Sequence, residues 1–278
     1  MSANGEQVLA GHWDTIVRLW DVGTGEVLRS FTGHTGGVII VARSPDGKRA
    51  VSGSVDTTVR IWDIESGTEQ SVLKGHSDWV IGVAVSPDGS TVASGGRDGK
   101  LNLWSIESGE HQATLVSQNS GLYCVAYSPD GQTLVSGSSG GAIRVWSVRS
   151  GNATLERTIT KAHAGVVRWL EFTPDGERLV SSGYDGSVKI WDWRTGEMQM
   201  KLMGHNGAAY GVTVFPDGAR AASCSHDKTI KIWNLHSGEL EHSFQAHTNP
   251  VNCVAVSRDG QTMVSGTQVP IISIWKFD

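Results

Sequence analysis

The sequence of 278 residues has no run of 18 consecutive apolar residues and only three cysteines. A membrane-spanning helix needs about 18 or more predominantly apolar residues, so no transmembrane helix is predicted. The first residues, MSANGEQVLAGHWD, contain neither a basic nor an apolar segment, so no signal peptide is predicted. Cys124, Cys224 and Cys253 lie in apolar runs, and we expect buried, reduced thiols and a cytoplasmic or nuclear location.

Clustered positive charge is also lacking. The chain has 23 basic and 28 acidic residues, a net charge of -5 and no basic run longer than two residues. Proteins that bind nucleic acid carry a basic patch, so direct contact with nucleic acid is not expected, and neither is contact with a membrane. The histidines show no metal-ligand spacing and there is no glycine-rich phosphate loop, so neither a metal nor a cofactor is expected.

Glycine is abundant, with 35 residues against only 7 prolines, and this balance indicates many tight turns. Helical periodicity is absent, whereas short alternating runs such as VRLWD and VKIWD are typical of strands. Each of seven such runs contains a tryptophan, and the intervals between them are 42, 42, 42, 45, 42 and 42 residues. These tryptophans are Trp20, Trp62, Trp104, Trp146, Trp191, Trp233 and Trp275.

Two kinds of turn recur within each interval. One is an Asp-Gly turn, as in SPDG at 44–47, 86–89 and 128–131 or TPDG at 173–176, and Asp-Gly predicts hairpins with positive φ at both central residues. The other follows the tryptophan, as in ESG at 65–67 or RTG at 194–196. Four strands repeated about every 42 residues predict an all-β chain whose repeats are the blades of a propeller.

The repeats resemble those of WD40 proteins over the whole chain, in the Gly-His that begins a repeat, the Trp-Asp that ends it and the spacing. The resemblance implies one seven-bladed β-propeller domain at 1–278. Its repeat units lie at about 1–21, 22–63, 64–105, 106–147, 148–192, 193–234 and 235–276. The runs GKLNLWSIESG (99–109) and SGLYCVAYSPDG (120–131) further resemble the WD-repeat subunits of the superkiller and RNA-polymerase-associated complexes.

The family pattern also implies a hydrogen-bonded tetrad of His, Ser, Asp and Trp in a blade. Its members here are His34, Ser52, Asp56, Trp62; His76, Ser94, Asp98, Trp104; His163, Ser181, Asp185, Trp191; and His205, Ser223, Asp227, Trp233. A Ser-His-Asp catalytic site would occur once and in a cleft, whereas this set recurs four times. We therefore expect a structural role for the tetrads and no catalytic residues.

Three repeats depart from this pattern. The fourth has Gln118 and Gly140 in the His and Asp positions, the seventh has Val269 in the Asp position, and the first has Ala10 in the Ser position. Aligning SANG (2–5) with SPDG predicts that the first and last blades each lack a strand. Truncation, an imperfectly closed ring and donation of a strand by another chain, including self-association, remain open as explanations.

Residues at the top rim of such propellers contact partners, and family geometry assigns rim positions to the start of the first strand and the residue before the turn Asp. The ones that we select as partner-binding are Trp13, Ile39, Trp79, Ile81, Arg97, Tyr123, Arg168, Tyr184, Tyr210 and His226. Aromatic residues and Arg dominate interface hot spots, and the rim positions contain no Asp or Glu. We therefore expect a non-catalytic scaffold for peptides or partner domains within a larger assembly, with a carbohydrate binder or an enzyme as the alternative.

Overall fold

The computed structural model describes residues 1–2, 4–116, 120–149, 152–267, 269 and 271–277. All 26 regular elements in these residues are β-strands. They form seven sheets, of which five have four strands and the first and last have three. The predicted class, a seven-bladed β-propeller with one strand fewer in the first and last blades, is confirmed. Within the described part of the chain, no helix is long and apolar enough to cross a membrane.

Consecutive strands pair within each sheet. The strands of the first three sheets are β1 (Gln7–Gly11), β2 (Val17–Asp21), β3 (Val27–Phe31); β4 (Val38–Arg43), β5 (Arg49–Ser54), β6 (Thr58–Asp63), β7 (Glu69–Lys74); β8 (Val80–Val85), β9 (Thr91–Gly96), β10 (Lys100–Ser105) and β11 (His111–Val116). Those of the fourth and fifth sheets are β12 (Leu122–Tyr127), β13 (Thr133–Ser138), β14 (Ile143–Arg149), β15 (Asn152–Ile159); β16 (Val167–Phe172), β17 (Leu179–Gly183), β18 (Val188–Asp192) and β19 (Glu197–Leu202). Those of the sixth and seventh are β20 (Ala209–Val214), β21 (Arg220–Ser225), β22 (Thr229–Asn234), β23 (Leu240–Gln245); β24 (Val251–Val256), β25 (Thr262–Thr267) and β26 (Ile272–Lys276).

Contacts within the chain divide it into two compact units. Unit 1 comprises Met1–Ser136 and Trp146–Glu156, and unit 2 comprises Gly137–Val145 and Arg157–Asp278. A single domain over the whole chain therefore stays a prediction. The three explanations for the two missing strands, including donation by another chain, also stay predictions.

The core of each unit lies between successive sheets. In unit 1, Ile61 of the second sheet packs in one buried cluster with Val83 and Trp104 of the third. In unit 2, Ile190 of the fifth sheet shares a cluster with Trp233 of the sixth. Burial of one large apolar side chain stabilises the fold by about 1.5–3 kcal/mol, so each sheet depends on its neighbour for its apolar face.

The Asp-Gly turns differ from the predicted hairpin turns. In the turn at 44–47, Gly47 has a φ of 75° and its N–H donates to the carbonyl of Ser44 at 2.9 Å. Asp46 is not among the residues with positive φ, so positive φ at both central residues is wrong. The turn is of type I, and the glycine after it takes the left-handed position. Pro45 suits this turn because its ring fixes φ near −65°, but it is not required, since the turn at 257–260 has Arg258 in that position and the same geometry.

The prediction of buried thiols holds for two of the three cysteines. Cys124 and Cys224 are buried, whereas Cys253 is exposed on β24, and none of the three forms a disulfide. Alternation along a strand identifies its apolar positions. It does not show whether another part of the chain covers them, so the exposure of Cys253 could not be predicted.

Candidate functional site

Four sheets contain a buried, hydrogen-bonded set of His, Ser, Asp and Trp. In the sixth sheet, Nδ1 of His205 lies 2.9 Å from Oδ2 of Asp227, and its Nε2 lies 2.8 Å from Oγ of Ser223. Nε1 of Trp233 donates to the same Oγ at 2.8 Å. The other three sets have the same connections at 2.7–3.1 Å. They are His34, Ser52, Asp56, Trp62; His76, Ser94, Asp98, Trp104; and His163, Ser181, Asp185, Trp191.

The protonation states in these tetrads follow from burial and hydrogen bonding. Burial lowers the pKa of His205 and outweighs the opposing effect of Asp227. Burial raises the pKa of Asp227, but hydrogen bonds from Thr229, Asn206 and His205 outweigh it and hold the pKa at about 2. An ionised carboxylate only accepts, so Nδ1–H of the neutral His donates to Asp, and Nε2 accepts the Ser hydroxyl proton. Every polar group of the set is thereby satisfied.

The tetrads are inaccessible to a substrate. The side chain of His205 is 0% exposed and that of Asp227 is 11% exposed. A catalytic Ser or His must reach the reacting atoms, and these side chains lie inside the sheet with all their hydrogen bonds used. This arrangement supports the sheet and does not form a Ser-His-Asp reaction site.

The three divergent repeats retain parts of the tetrad. In the fourth sheet, Trp146 donates to Ser136 at 3.0 Å, and Gln118 lies outside the described residues. The seventh sheet retains a Ser that bonds both ring groups, because His247 and Trp275 lie 2.8 and 2.9 Å from Oγ of Ser265. The most incomplete case is the first sheet.

With Ala10 in the Ser position of the first sheet, no hydroxyl is available for the indole of Trp20. Its Nε1 is buried and has no hydrogen-bond partner in the structure. An unsatisfied buried donor costs about 1–3 kcal/mol, so the first sheet contains a local weakness.

Rim residues of unit 1 form a cluster of Trp13, Trp79 and Arg97, which we name the Trp79 patch. The ring centroids of Trp13 and Trp79 lie 6.3 Å apart at 75°, and Cζ of Arg97 lies 4.8 Å from the Trp79 centroid. Trp13 is 56% exposed. A Cβ at Gly37 would lie only 2.4 Å from Cε3 of Trp13, so the glycine is what allows the ring to lie against this backbone.

Rim residues of unit 2 form a tighter cluster of Arg168, Tyr184, Tyr210 and His226, which we name the Tyr210 patch. The ring of Tyr210 stacks on Tyr184, with centroids 5.2 Å apart at 21°, and on His226, with centroids 4.1 Å apart at 14°. Cζ of Arg168 lies 5.2 Å from the Tyr210 centroid. Tyr184 is 40% exposed and His226 is also exposed, so the stack is open to solvent.

Tetrads and β-bulges together place the Tyr210 patch. Tyr184 and His226 each precede a tetrad Asp, and their N–H groups donate to the carbonyls of Val166 and Ala208, both at 3.0 Å. Arg168 and Tyr210 are the extra residues in bulges at the start of β16 and β20. A bulge re-aims a side chain away from the alternation of its strand. The buried tetrads thus fix the turns that carry half of the patch, and the bulges direct the other half.

The same bulge lies at Ile39, Ile81 and Asn252 in the second, third and seventh sheets. Ile81 is only 5% exposed, so the prediction that it contacts a partner is wrong. Burial of an apolar side chain at this position lowers the free energy of the fold, whereas Arg168 and Tyr210 keep their polar ends near solvent. Ile39 and Tyr123 are half-buried, with part of their surface available for contact.

One acidic residue near the inner strands of unit 2 was not identified from the sequence. Oε1 of Glu171 on β16 accepts the N–H of Val214 at 3.1 Å and lies 3.3 Å from the hydroxyl of Thr213, both on β20. Burial raises the pKa of Glu171 to about 7, although hydrogen bonds from Val214, Thr213 and Trp169 oppose the shift. Its hydrogen bonds tie two inner strands together.

Metal ligation has no geometric support in the described residues, where no group of three or more His, Cys, Asp or Glu side chains could hold an ion. The Trp79 patch and the Tyr210 patch are the surface features in which several predicted rim residues lie together.

Comparison with known proteins agrees with this architecture. Residues 1–167 match the family model described as IFT122 first beta-propeller. Residues 154–192, 196–234 and 238–268 match the model described as WD domain, G-beta repeat. No curated protein matches the chain. Propeller domains with WD40 repeats generally mediate protein–protein interaction and are generally non-catalytic. Since the IFT122-type model covers more than half of the sequence, the chain belongs to this family of WD40 β-propellers.

Proposed function

We propose that the chain is a non-catalytic scaffold that binds peptides or domains of other proteins as a subunit of a larger assembly. The observation that carries the proposal is the Tyr210 patch, where a guanidinium lies against three stacked rings, of which Tyr184 and His226 are exposed. None of its four side chains belongs to a tetrad, so the fold does not require them for its buried hydrogen bonds. The Trp79 patch in unit 1 supports the same function.

The chemistry of the patches suits recognition of proteins. Trp, Tyr and Arg are enriched among the residues that contribute most to binding energy, because they bury large surfaces at a low entropic cost. Stacking of Tyr184, Tyr210 and His226 also holds the rings in place before a partner arrives, which reduces the ordering cost of binding.

Capture of partners by variants of the whole chain tests this function. We expect Tyr210→Ala and Trp79→Ala each to reduce captured partners at least tenfold in quantitative mass spectrometry, since each removes the centre of its patch. Both side chains are half-buried and Tyr210 packs against a core cluster, so the unfolding free energy should fall by up to about 2 kcal/mol, and the chain should stay folded because no tetrad is touched.

Leu240→Ala is the matched control, since Leu240 is 43% exposed on β23 and lies outside both patches. Its capture should equal that of the unmodified chain. Undiminished capture by both patch variants would contradict the proposal, as would a loss of capture that parallels a loss of stability.

Aromatic rings also stack on sugars, so a carbohydrate binder remains the second candidate. A glycan array discriminates between the two, because a scaffold for proteins should bind no glycan in a Tyr210-dependent way. The narrower resemblance to the superkiller and RNA-polymerase-associated subunits and the cytoplasmic or nuclear location stay predictions.

A further inference from the structure

Arg168 in the Tyr210 patch is a cation without a counter-ion among the described residues. Its Nη1 atom is buried and has no hydrogen-bond partner. Four arginines of the described residues pair with acids, among them Arg220 with Asp217 at 3.0 Å and Arg18 with Asp14 at 2.7 Å. Nη1 of Arg144 is likewise buried without a partner, but Arg144 lies on β14, away from the exposed rings of the Tyr210 patch. Desolvating a charged donor without an acceptor is costly, so an acceptor from a partner would stabilise the guanidinium of Arg168.

The surrounding structure keeps the guanidinium in place and gives it no acid. Arg168 is the extra residue of a bulge, and its Cζ lies 5.2 Å from the centroid of the Tyr210 ring. The nearby carboxylates are already engaged. Asp185 and Asp227 accept from tetrad histidines at 2.9 Å, and Glu171 accepts from Val214 on β20.

We propose that the Tyr210 patch binds an acidic linear peptide of a partner protein, with Arg168 pairing with one Asp or Glu carboxylate of that peptide. The planar guanidinium matches a carboxylate bidentately, and the adjacent Tyr184 and Tyr210 rings cover the flanking peptide residues. A carboxylate is favoured over a phosphate, because the patch offers one cation and a phosphate carries about two negative charges. This inference rests on the proposed function and specifies the partner chemistry at the same surface.

Peptide selection on the immobilised whole chain tests the inference. Peptides that bind in a Tyr210-dependent way would be selected from a random library of about 12 residues and synthesised with each Asp or Glu intact, replaced by Asn or Gln, or replaced by phosphoserine. We expect the selected peptides to share an acidic position whose amide form binds at least tenfold more weakly, a change of about 1.4 kcal/mol.

The variant Arg168→Met should remove this preference, so that acid and amide forms bind it equally, and Arg168→Lys should retain only part of it. The matched control is Arg220→Met, which removes a guanidinium that lies 4.6 Å from the ring of Phe215 in the same unit. It should bind peptides as the unmodified chain does. Thermal melting of each variant separates loss of contact from loss of fold.

Each other outcome overturns a different statement. Peptides that need Tyr210 but neither an acid nor Arg168 would overturn the inference and leave the proposed function intact. Tighter binding of the phosphoserine form would overturn it in favour of a phosphopeptide. Absence of any Tyr210-dependent peptide would contradict the inference, and undiminished partner capture by Tyr210→Ala would count against the proposed function itself.

Discussion

Ser223→Ala should lower the free energy of unfolding by about 2–5 kcal/mol, the largest loss that we expect from removing a single oxygen atom. The hydroxyl of Ser223 serves two buried groups, since it accepts from Nε1 of Trp233 and bonds Nε2 of His205, both at 2.8 Å. Each buried group left without a partner costs about 1–3 kcal/mol. Urea unfolding of the whole chain measures the change.

Two further variants make this result specific. Ser237→Ala in the following turn removes an exposed hydroxyl and should change the stability by less than about 0.5 kcal/mol. The converse change, Ala10→Ser, should add about 1 kcal/mol by giving Trp20 an acceptor. Ala10 faces Arg18 across the ladder as Ser52 faces Arg60, so the new hydroxyl takes the tetrad position. Equal effects of Ser223→Ala and Ser237→Ala would contradict the structural role of the tetrads.

Acid should destabilise the chain progressively below about pH 6.5, because burial lowers the pKa of all four tetrad histidines. In the unfolded chain a His titrates at about 6.5. Below that pH the unfolded state takes up protons that the folded state does not bind, so the free energy of unfolding falls as the pH falls. Each His contributes at most about 1.4 kcal/mol per pH unit to this slope.

The aspartates of the tetrads act in the same direction at lower pH. Hydrogen bonds hold the pKa of Asp56 and Asp227 at about 2, against the effect of burial. The two aspartates stabilise the fold fully at pH values above about 3.9, the pKa of Asp in the unfolded chain. This stabilisation is lost as the pH falls towards 2. Maximum stability is therefore expected near neutral pH.

Urea unfolding at pH 7.5, 6.5, 5.5 and 4.5 measures this dependence. His205→Gln should lower the overall stability. It should also reduce the slope of the unfolding free energy against pH below about pH 6.5 by the contribution of one His, at most about 1.4 kcal/mol per pH unit. His236 lies exposed in a turn, so His236→Gln is the matched control and should change the stability at pH 7.5 by less than about 0.5 kcal/mol. A stability that stays constant or rises between pH 7.5 and 5.5 would show that the tetrad histidines bind protons in the folded state.

Much of the architecture could be predicted from the sequence because it depends on repetition. Seven tryptophans in register and the recurring turns predicted the strands and the shorter first and last sheets. The type of turn was not predicted, because the pair Asp-Gly fits both a two-residue primed turn and a type I turn followed by a left-handed glycine.

The candidate site was only partly predictable. The residue before each tetrad Asp, such as Tyr184 or His226, could be located because the Asp marks its turn. The bulges could not be located from the sequence, because one extra residue in a short apolar strand leaves no distinct pattern. The burial of Ile81 could not be predicted either, because it depends on how the side chain packs. Glu171 was not identified because its hydrogen-bond partners lie on a neighbouring strand 42 and 43 residues away.

The central claim is that exposed aromatic patches bind partners while the buried tetrads hold the sheets. The most direct test is photo-crosslinking of a captured partner to chains that carry p-benzoylphenylalanine in place of Tyr184, which is 40% exposed, or of Leu240, which is 43% exposed. The two positions are similarly accessible, so only location distinguishes them. The account predicts a crosslink from position 184 and none from position 240. Crosslinking from position 240 alone, or equally from both, would contradict it.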